Sequence, residues 1–427
     1  MAGYSWEYLS PNNFQLPQAV VVNKVLAPNG PAYKALVIRQ TDLLTLDGVN
    51  KISQFARQGL PIIFLGGIPN QIASGSLSLA QGILKSITSL GNVYQAPSGS
   101  LAATLSSIGI EPLTKISAND TWFTYWRQDG QGSYVYLYNN GSYSTGSVSF
   151  ASTNKPYFFD AWTGAQTPVL DYTVSSGYTT IIFTLAPSQS TIIAFLPNAP
   201  YATPSLHVTS APLSILGYSY SSSTGLVAKV PAATSPVKLT TSDGNTHAIN
   251  VPTIAPSFTL GNWTLIAEKW GPPANLSDID IVAVKSNTTH NIPDLVSWAQ
   301  IPGLQNTSGV GYYSTSFTWT NTSVGAIIDF GRVVHTLRAK INGHQLPPLD
   351  FTSAKADISQ YLVKGTNLVE TTVATTMVNG LAPILSELRT SGAGPIAGAY
   401  TFASTQVESG MVGSVVVTPY VGIKVAS

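Results

Sequence analysis

The chain has 427 residues, of which 9% are charged, and a formal net charge of +1. With no cluster of Lys or Arg, that balance speaks against nucleic acid and anionic membrane as partners. The absence of Cys excludes disulfides and thiolate chemistry, and the length suits about three domains.

The first residues, Met1 to Glu7, carry neither a basic nor an apolar leader segment, so no signal peptide is read there. No apolar run reaches the ~18 residues of a membrane span. Aromatic residues make up 10%, with 20 Tyr and 8 Trp. They suit strand faces, and equally the flat surfaces on which sugars stack.

Residues 3–115 read as α/β. Residues 4–9 are a strand candidate, and residues 35–38 form a buried-type apolar run. Leu46, Val49, Ile52, Phe55 and Ala56 fall at helical spacing, with Asp47 near the start and Gly59 as a stop. Residues 61–65 make another buried strand, closed by Gly66-Gly67. That pair lacks the Lys-Ser/Thr and the glycine spacing of a phosphate loop, so it reads as a strand-exit turn. Residues 72–90 and 98–108 supply further helix. Strands alternating with helices imply a parallel sheet.

Residues 116–196 change to β. Two alternating strands flank Gly130-Gln131-Gly132, and further turns fall at Thr163-Gly164, preceded by Asp160 and Trp162, and at Ser176-Gly177. Residues 197–256 are rich in Ser, Thr, Pro and Ala, and read as a linker with edge hairpins near 226–230 and 247–251.

From residue 257 the pattern is a succession of short antiparallel strands. Tyr313, Thr315, Phe317 and Trp319 alternate with Tyr312, Ser314, Ser316 and Thr318. Ala326, Ile328 and Phe330 repeat the period. Residues 333–341 place Val333, His335, Leu337, Ala339 and Ile341 on one face, and Asn342-Gly343 has the composition of a type I′ hairpin. Asp357 is positioned to cap a short turn over 358–362. Lys364-Gly365-Thr366 then leads into a strand with Val369, Thr371 and Val373 on one side. Such a series predicts a jelly-roll sandwich.

These residues carry a resemblance. "GVGYYSTSFTW", "AIIDFGRVVHTLRAKINGHQL" and "DISQYLVKGTNLVETTV", in that order, are similar to the galactose-binding-like jelly roll of large glycoside hydrolases, above all the α-L-rhamnosidase-like enzymes. "GYSWEYLSPNNF", "YKALVIRQTDLL" and "GLPIIFLGGIP" resemble the amidotransferase-like domain that such enzymes carry behind their catalytic barrel. The resemblance spans nearly the whole chain. It implies a multidomain, mostly β protein: an incomplete flavodoxin/amidotransferase-like α/β domain (3–115), a small β-sandwich (116–196), the linker (197–256) and a C-terminal galactose-binding-like jelly roll (257–427). The α/β domain starts inside its second βα unit, so its first strand is expected to be missing.

In the resembled enzymes the catalytic carboxylates belong to the barrel, which this sequence lacks. The resemblance therefore implies no catalytic residue here, no cofactor and no metal. It implies a structural or carbohydrate-binding portion of a secreted hydrolase, a monomer bound to rhamnose- or galactose-containing glycans. An active glycoside hydrolase acting on plant or fungal polysaccharide, and a freestanding glycan-recognition module, are the alternatives. Trp298, Tyr312, Tyr313 and Asn379 are the candidate sugar-binding residues, because aromatic faces stack on sugars and amides bond hydroxyls. Asp278 and Asp280 would share a strand face but lie in a polar stretch that reads as a solvated loop. Seven glycosylation sequons start at Asn119, Asn140, Asn262, Asn275, Asn287, Asn306 and Asn321.

Overall fold

The computed structural model describes residues 3–117, 121–197, 203–271, 274–275, 280, 283–384 and 406–426. The chain divides into two compact units, residues 2–115 and residues 116–427.

In the first unit, Leu36–Arg39, Ile62–Leu65 and Val93–Ala96 form a parallel sheet in that order. Of the strands read from sequence, those near 35–38 and 61–65 are direct neighbours in this sheet. Helix Leu46–Arg57 buries Val49, Ile52, Phe55 and Ala56, and the Thr45 hydroxyl caps it by accepting from Gly48 N at 3.1 Å. Gly66 and Gly67 take φ angles of 78° and 125°, the turn expected at the strand exit. Residues 4–9 form no strand. Tyr4 packs against a core while Trp6 and Tyr8, on the same parity, point to solvent, so the period of two does not mark one buried face. The 72–90 stretch holds a short strand, Ile72–Ser74, before helix Leu77–Ile87.

In the second unit, two sheets pack over a core of Trp122, Val135, Leu137, Phe150, Ile193 and Phe195. One has the strand order Gln166–Pro168, Lys155–Phe159, Ser190–Leu196, Gly132–Asn139, Trp122–Asp129. The turn at 130–131 is held by Asp129, whose carboxylate accepts from Gln131 N and Gly132 N.

Hairpins form where the sequence places them in the 203–256 stretch, but they belong to a packed module rather than to a linker. Val208–Ser210, Val237–Thr241 and Thr246–Ile249 make a sheet, and the hairpin of Gly217–Ser221 with Gly225–Pro231 pairs with the late strand Val415–Ala426. Val208, Leu226, Ala228, Val230, Leu239, Ile249 and Val425 form a core of their own.

The jelly roll is a sandwich of two antiparallel sheets. The first contains Val415–Ala426 beside Phe258–Leu260 and Gly325–Asp329. The second runs Val284–Ile292, Trp263–Gly271, Gly309–Trp319, Gly365–Ala374, Arg338–Ile341, His344–Gln345. Strand Gly309–Trp319 buries Tyr313, Thr315, Phe317 and Trp319 as its alternation predicts. Asn342 and Gly343 take φ of 52° and 79°, fitting a type I′ turn. Asp357 accepts from Ser359 N at 3.0 Å, so the predicted cap is formed.

Within the jelly roll one strand reading fails. Residues 333–341 split, with Val333–Val334 pairing Gly410–Met411 and Arg338–Ile341 joining the other sheet. The alternation breaks at that crossing, and His335 is exposed rather than at the core edge.

Candidate functional site: an aromatic sheet face and an adjoining cleft

The four residues singled out from sequence do not share a surface. Trp298 and Tyr313 are fully buried, and the Trp298 indole N–H donates to the Tyr313 hydroxyl at 2.7 Å. Met411 N donates to the same oxygen at 3.2 Å. Asn379 is buried too, and its amide makes paired 2.8 Å bonds with the backbone of Val407. These three groups hold the interior together. Tyr312 is 41% exposed on the outer sheet face, beside Ile266 and Thr372. Asp280 is exposed in a turn, while Asp278 and Asn119 lie outside the described residues.

An exposed aromatic surface lies on the sandwich of residues 121–196. Strands there have two faces. Trp122, Val135 and Leu137 point inward, which sends Phe123, Tyr125, Tyr134, Tyr136 and Tyr138 outward. Register places Tyr136 opposite Tyr125 on one neighbour and opposite Ile192 on the other. Tyr138 sits opposite Phe123, with ring centres 6.5 Å apart. Tyr125 and Tyr136 are each 44% exposed. A shallow depression of ≈ 360 Å³ lies over this shelf, lined by Phe123, Thr124, Tyr125, Tyr136, Tyr138 and Asn140.

Tyr136 also lines a second hollow of ≈ 260 Å³, a cleft between the sandwich and the 348–355 loop of the jelly roll. Gln189, Ser190, Thr191 and Trp162 are among its lining residues. The Trp162 indole meets the Phe351 ring edge-on at 5.9 Å, and both are substantially exposed. Two carboxylates line the cleft, and each holds a turn. Asp160 accepts from Trp162 N at 2.8 Å and Thr163 N at 3.4 Å, the turn role expected for it. Asp350 accepts from Thr352 N and from the Thr352 hydroxyl. Lys355 is paired with Asp329 at 3.3 Å. An exposed indole beside hydroxyls, an amide and turn-bonded carboxylates can bind a polyol.

Sequence reasoning missed this face. In Trp122-Phe123-Thr124-Tyr125-Trp126 both parities carry aromatic residues, so alternation alone does not say which set is buried.

No family model and no curated protein matches the sequence. Among solved structures, a rhamnosidase from Novosphingobium sp. PP1Y is similar over 98% of this chain, at 20% identity and a TM-score of 0.59. A β-glycosidase from Bacteroides vulgatus matches 39% of the chain, and 20% of its own length, at 18% identity and a TM-score of 0.24. A Bifidobacterium dentium β-glucuronidase matches 40%, and 31% of its own length, at 16% identity and a TM-score of 0.26. Scores as low as the last two carry no weight. The chain spans 36% of the length of the Novosphingobium rhamnosidase. At this identity the likeness is one of fold: a multidomain, mostly β chain built like part of a rhamnosidase.

Proposed function

We propose that this chain is a non-catalytic, carbohydrate-binding and supporting portion of a rhamnosidase-like glycoside hydrolase that acts outside the cell. Sugar binds in the cleft beside Trp162. The observation that carries this reading is the cleft itself. It is lined by the exposed Trp162, which meets Phe351 edge-on, together with Gln189, Ser190 and Thr191, while Asp160 and Asp350 each have one carboxylate oxygen bonded into a turn. The fold likeness to a rhamnosidase supports the choice of glycan as ligand.

Titration calorimetry of the purified chain with rhamnose- and galactose-containing oligosaccharides tests it. Binding is expected, and Trp162→Ala should weaken it about tenfold, the effect of losing ~1.4 kcal/mol of ring stacking. Unchanged affinity in that variant would place the site elsewhere. Turnover of aryl rhamnosides by the same sample would overturn the non-catalytic assignment.

A further inference from the structure

Six of the seven sequons begin at described residues, and all six asparagines are exposed: Asn140, Asn262, Asn275, Asn287, Asn306 and Asn321. Asn140 differs from the rest in lining the tyrosine shelf. It lies in the turn between Gly132–Asn139 and Ser144–Phe150. The neighbouring Asn139 makes that turn firm. Its buried amide donates to Ser142 O, Leu185 O and Ala186 O, and its carbonyl oxygen accepts from Gly141 N at 2.9 Å. Asn140 N is bonded back to Thr121 O at 2.9 Å. The Asn140 side chain is thus carried on a fixed backbone at the rim of the depression, where the Tyr138 hydroxyl donates to its Oδ1 at 3.4 Å. Among the described residues its Nδ2 makes no hydrogen bond.

We propose that Asn140 is an N-glycosylation site, and that the first sugars of its glycan lie on the shelf formed by Phe123, Tyr125 and Tyr138. In the transfer, Nδ2 attacks the anomeric carbon of an oligosaccharide carried on a polyisoprenyl diphosphate. The new N–C bond forms as the bond from that carbon to phosphate oxygen breaks. The lipid diphosphate leaves with the electron pair, and Nδ2 gives up one proton. Ser142 completes the acceptor triplet. A sugar so attached cannot leave the surface, and the nearest apolar surface is a set of tyrosine rings whose rims carry hydroxyls. The apolar face of a pyranose covers the rings while its hydroxyls meet the phenols and solvent. The attached glycan would thereby cover an aromatic patch of the kind that otherwise marks an interaction surface.

The test uses the whole chain secreted from an N-glycosylating host. Peptide mass spectrometry should find Asn140 modified. Hydroxyl-radical labelling of Tyr125 and Tyr138 should rise several-fold when the glycan is removed enzymatically, with a fall in melting temperature of about 2–4 °C. Ser142→Ala should give the same labelling without a change at Asn140, and it replaces Asn140→Gln if that variant folds poorly. An unmodified Asn140 in a sample whose Asn287 is occupied would overturn the assignment. Occupancy with unchanged tyrosine labelling would overturn the stacking. Neither readout depends on Trp162, so failure here is separable from failure of the cleft to bind sugar.

Discussion

Asp171 sits where two cores meet. Val169 belongs to the core of the 116–196 sandwich and Leu170 to that of the 208–249 module. The backbone is tied across by Tyr172 N to Val208 O at 3.0 Å and Val208 N to Leu170 O at 2.9 Å. Burial pushes the Asp171 carboxyl up to about 6. Tyr218, whose buried hydroxyl has no hydrogen-bond partner among the described residues, is raised by burial and then by the charge of Asp171. An unfolded aspartate titrates near ~3.9. The native state therefore holds the proton more tightly, and this contribution is complete below about pH 4 and lost as pH rises through about 6. The gap is worth about 1–3 kcal/mol once partial solvent contact is allowed for. Asp171→Asn should raise the melting temperature at pH 7.5 and leave it nearly unchanged at pH 4. His207, stacked on Tyr172 at 3.8 Å and lowered first by burial, opposes the trend at low pH. Comparing variant with wild type at each pH cancels that effect. A variant less stable at pH 7.5 would mean the carboxylate is needed in its charged form.

The strand Gly309–Trp319 shows what an element can reveal in advance. Its odd positions are buried and its even ones face outward or lie at the margin, and the clearest part of the signal is Phe317 and Trp319 alternating with Ser316 and Thr318. The same regularity made helix Leu46–Arg57, the Asn342-Gly343 turn and the Asp357 cap legible from sequence. Three readings failed where the deciding partner lies far away along the chain. Residues 4–9 alternate but meet no sheet, residues 333–341 are divided between two sheets, and the apolar residues of 208–249 are too sparse to show a core without Val425. The candidate site suffered similarly. Tyr313 lies on the inner parity of its strand, so its ring and hydroxyl serve packing. Tyr313→Phe would strand the Trp298 N–H and the Met411 N–H, at about 1–3 kcal/mol for each unpaired donor. A denaturant midpoint lowered by the corresponding amount is expected, with the slope unchanged. No loss would mean the two donors find other acceptors.

At the scale of the second unit, one strand belongs to two structures. The early residues of Val415–Ala426 lie in the jelly-roll core, with Val415 and Val417 fully buried, while Val425 closes the core of the 208–249 module. A polar staple fixes the crossing. Lys229 and the Tyr420 hydroxyl each approach the same oxygen of Asp357 at 2.6 Å, and Ser359 donates to the other. Burial alone would raise this carboxyl, but those bonds outweigh it and hold Asp357 below the usual carboxylate range. The two modules should therefore loosen together. Val417→Asp, a change inside the jelly roll, is expected to speed amide exchange in Gly225–Pro231 as well as in Gly325–Asp329. Acceleration confined to Gly325–Asp329 would show that the crossing does not transmit.

The shared strand also sets an order of events during synthesis. Residues 208–249 leave the ribosome long before 415–426 are made, and at about 5–20 residues per second the wait is on the order of ten seconds or more. Throughout it the hairpin of Gly217–Ser221 and Gly225–Pro231 presents an open edge, and Leu226 and Val230 lack the strand that closes over them. A nascent chain in that state is a substrate for chaperones and a template for wrong strand pairing. Replacing the codons between these segments with slower ones should lengthen that exposure and lower the soluble yield without altering a single residue of the finished protein.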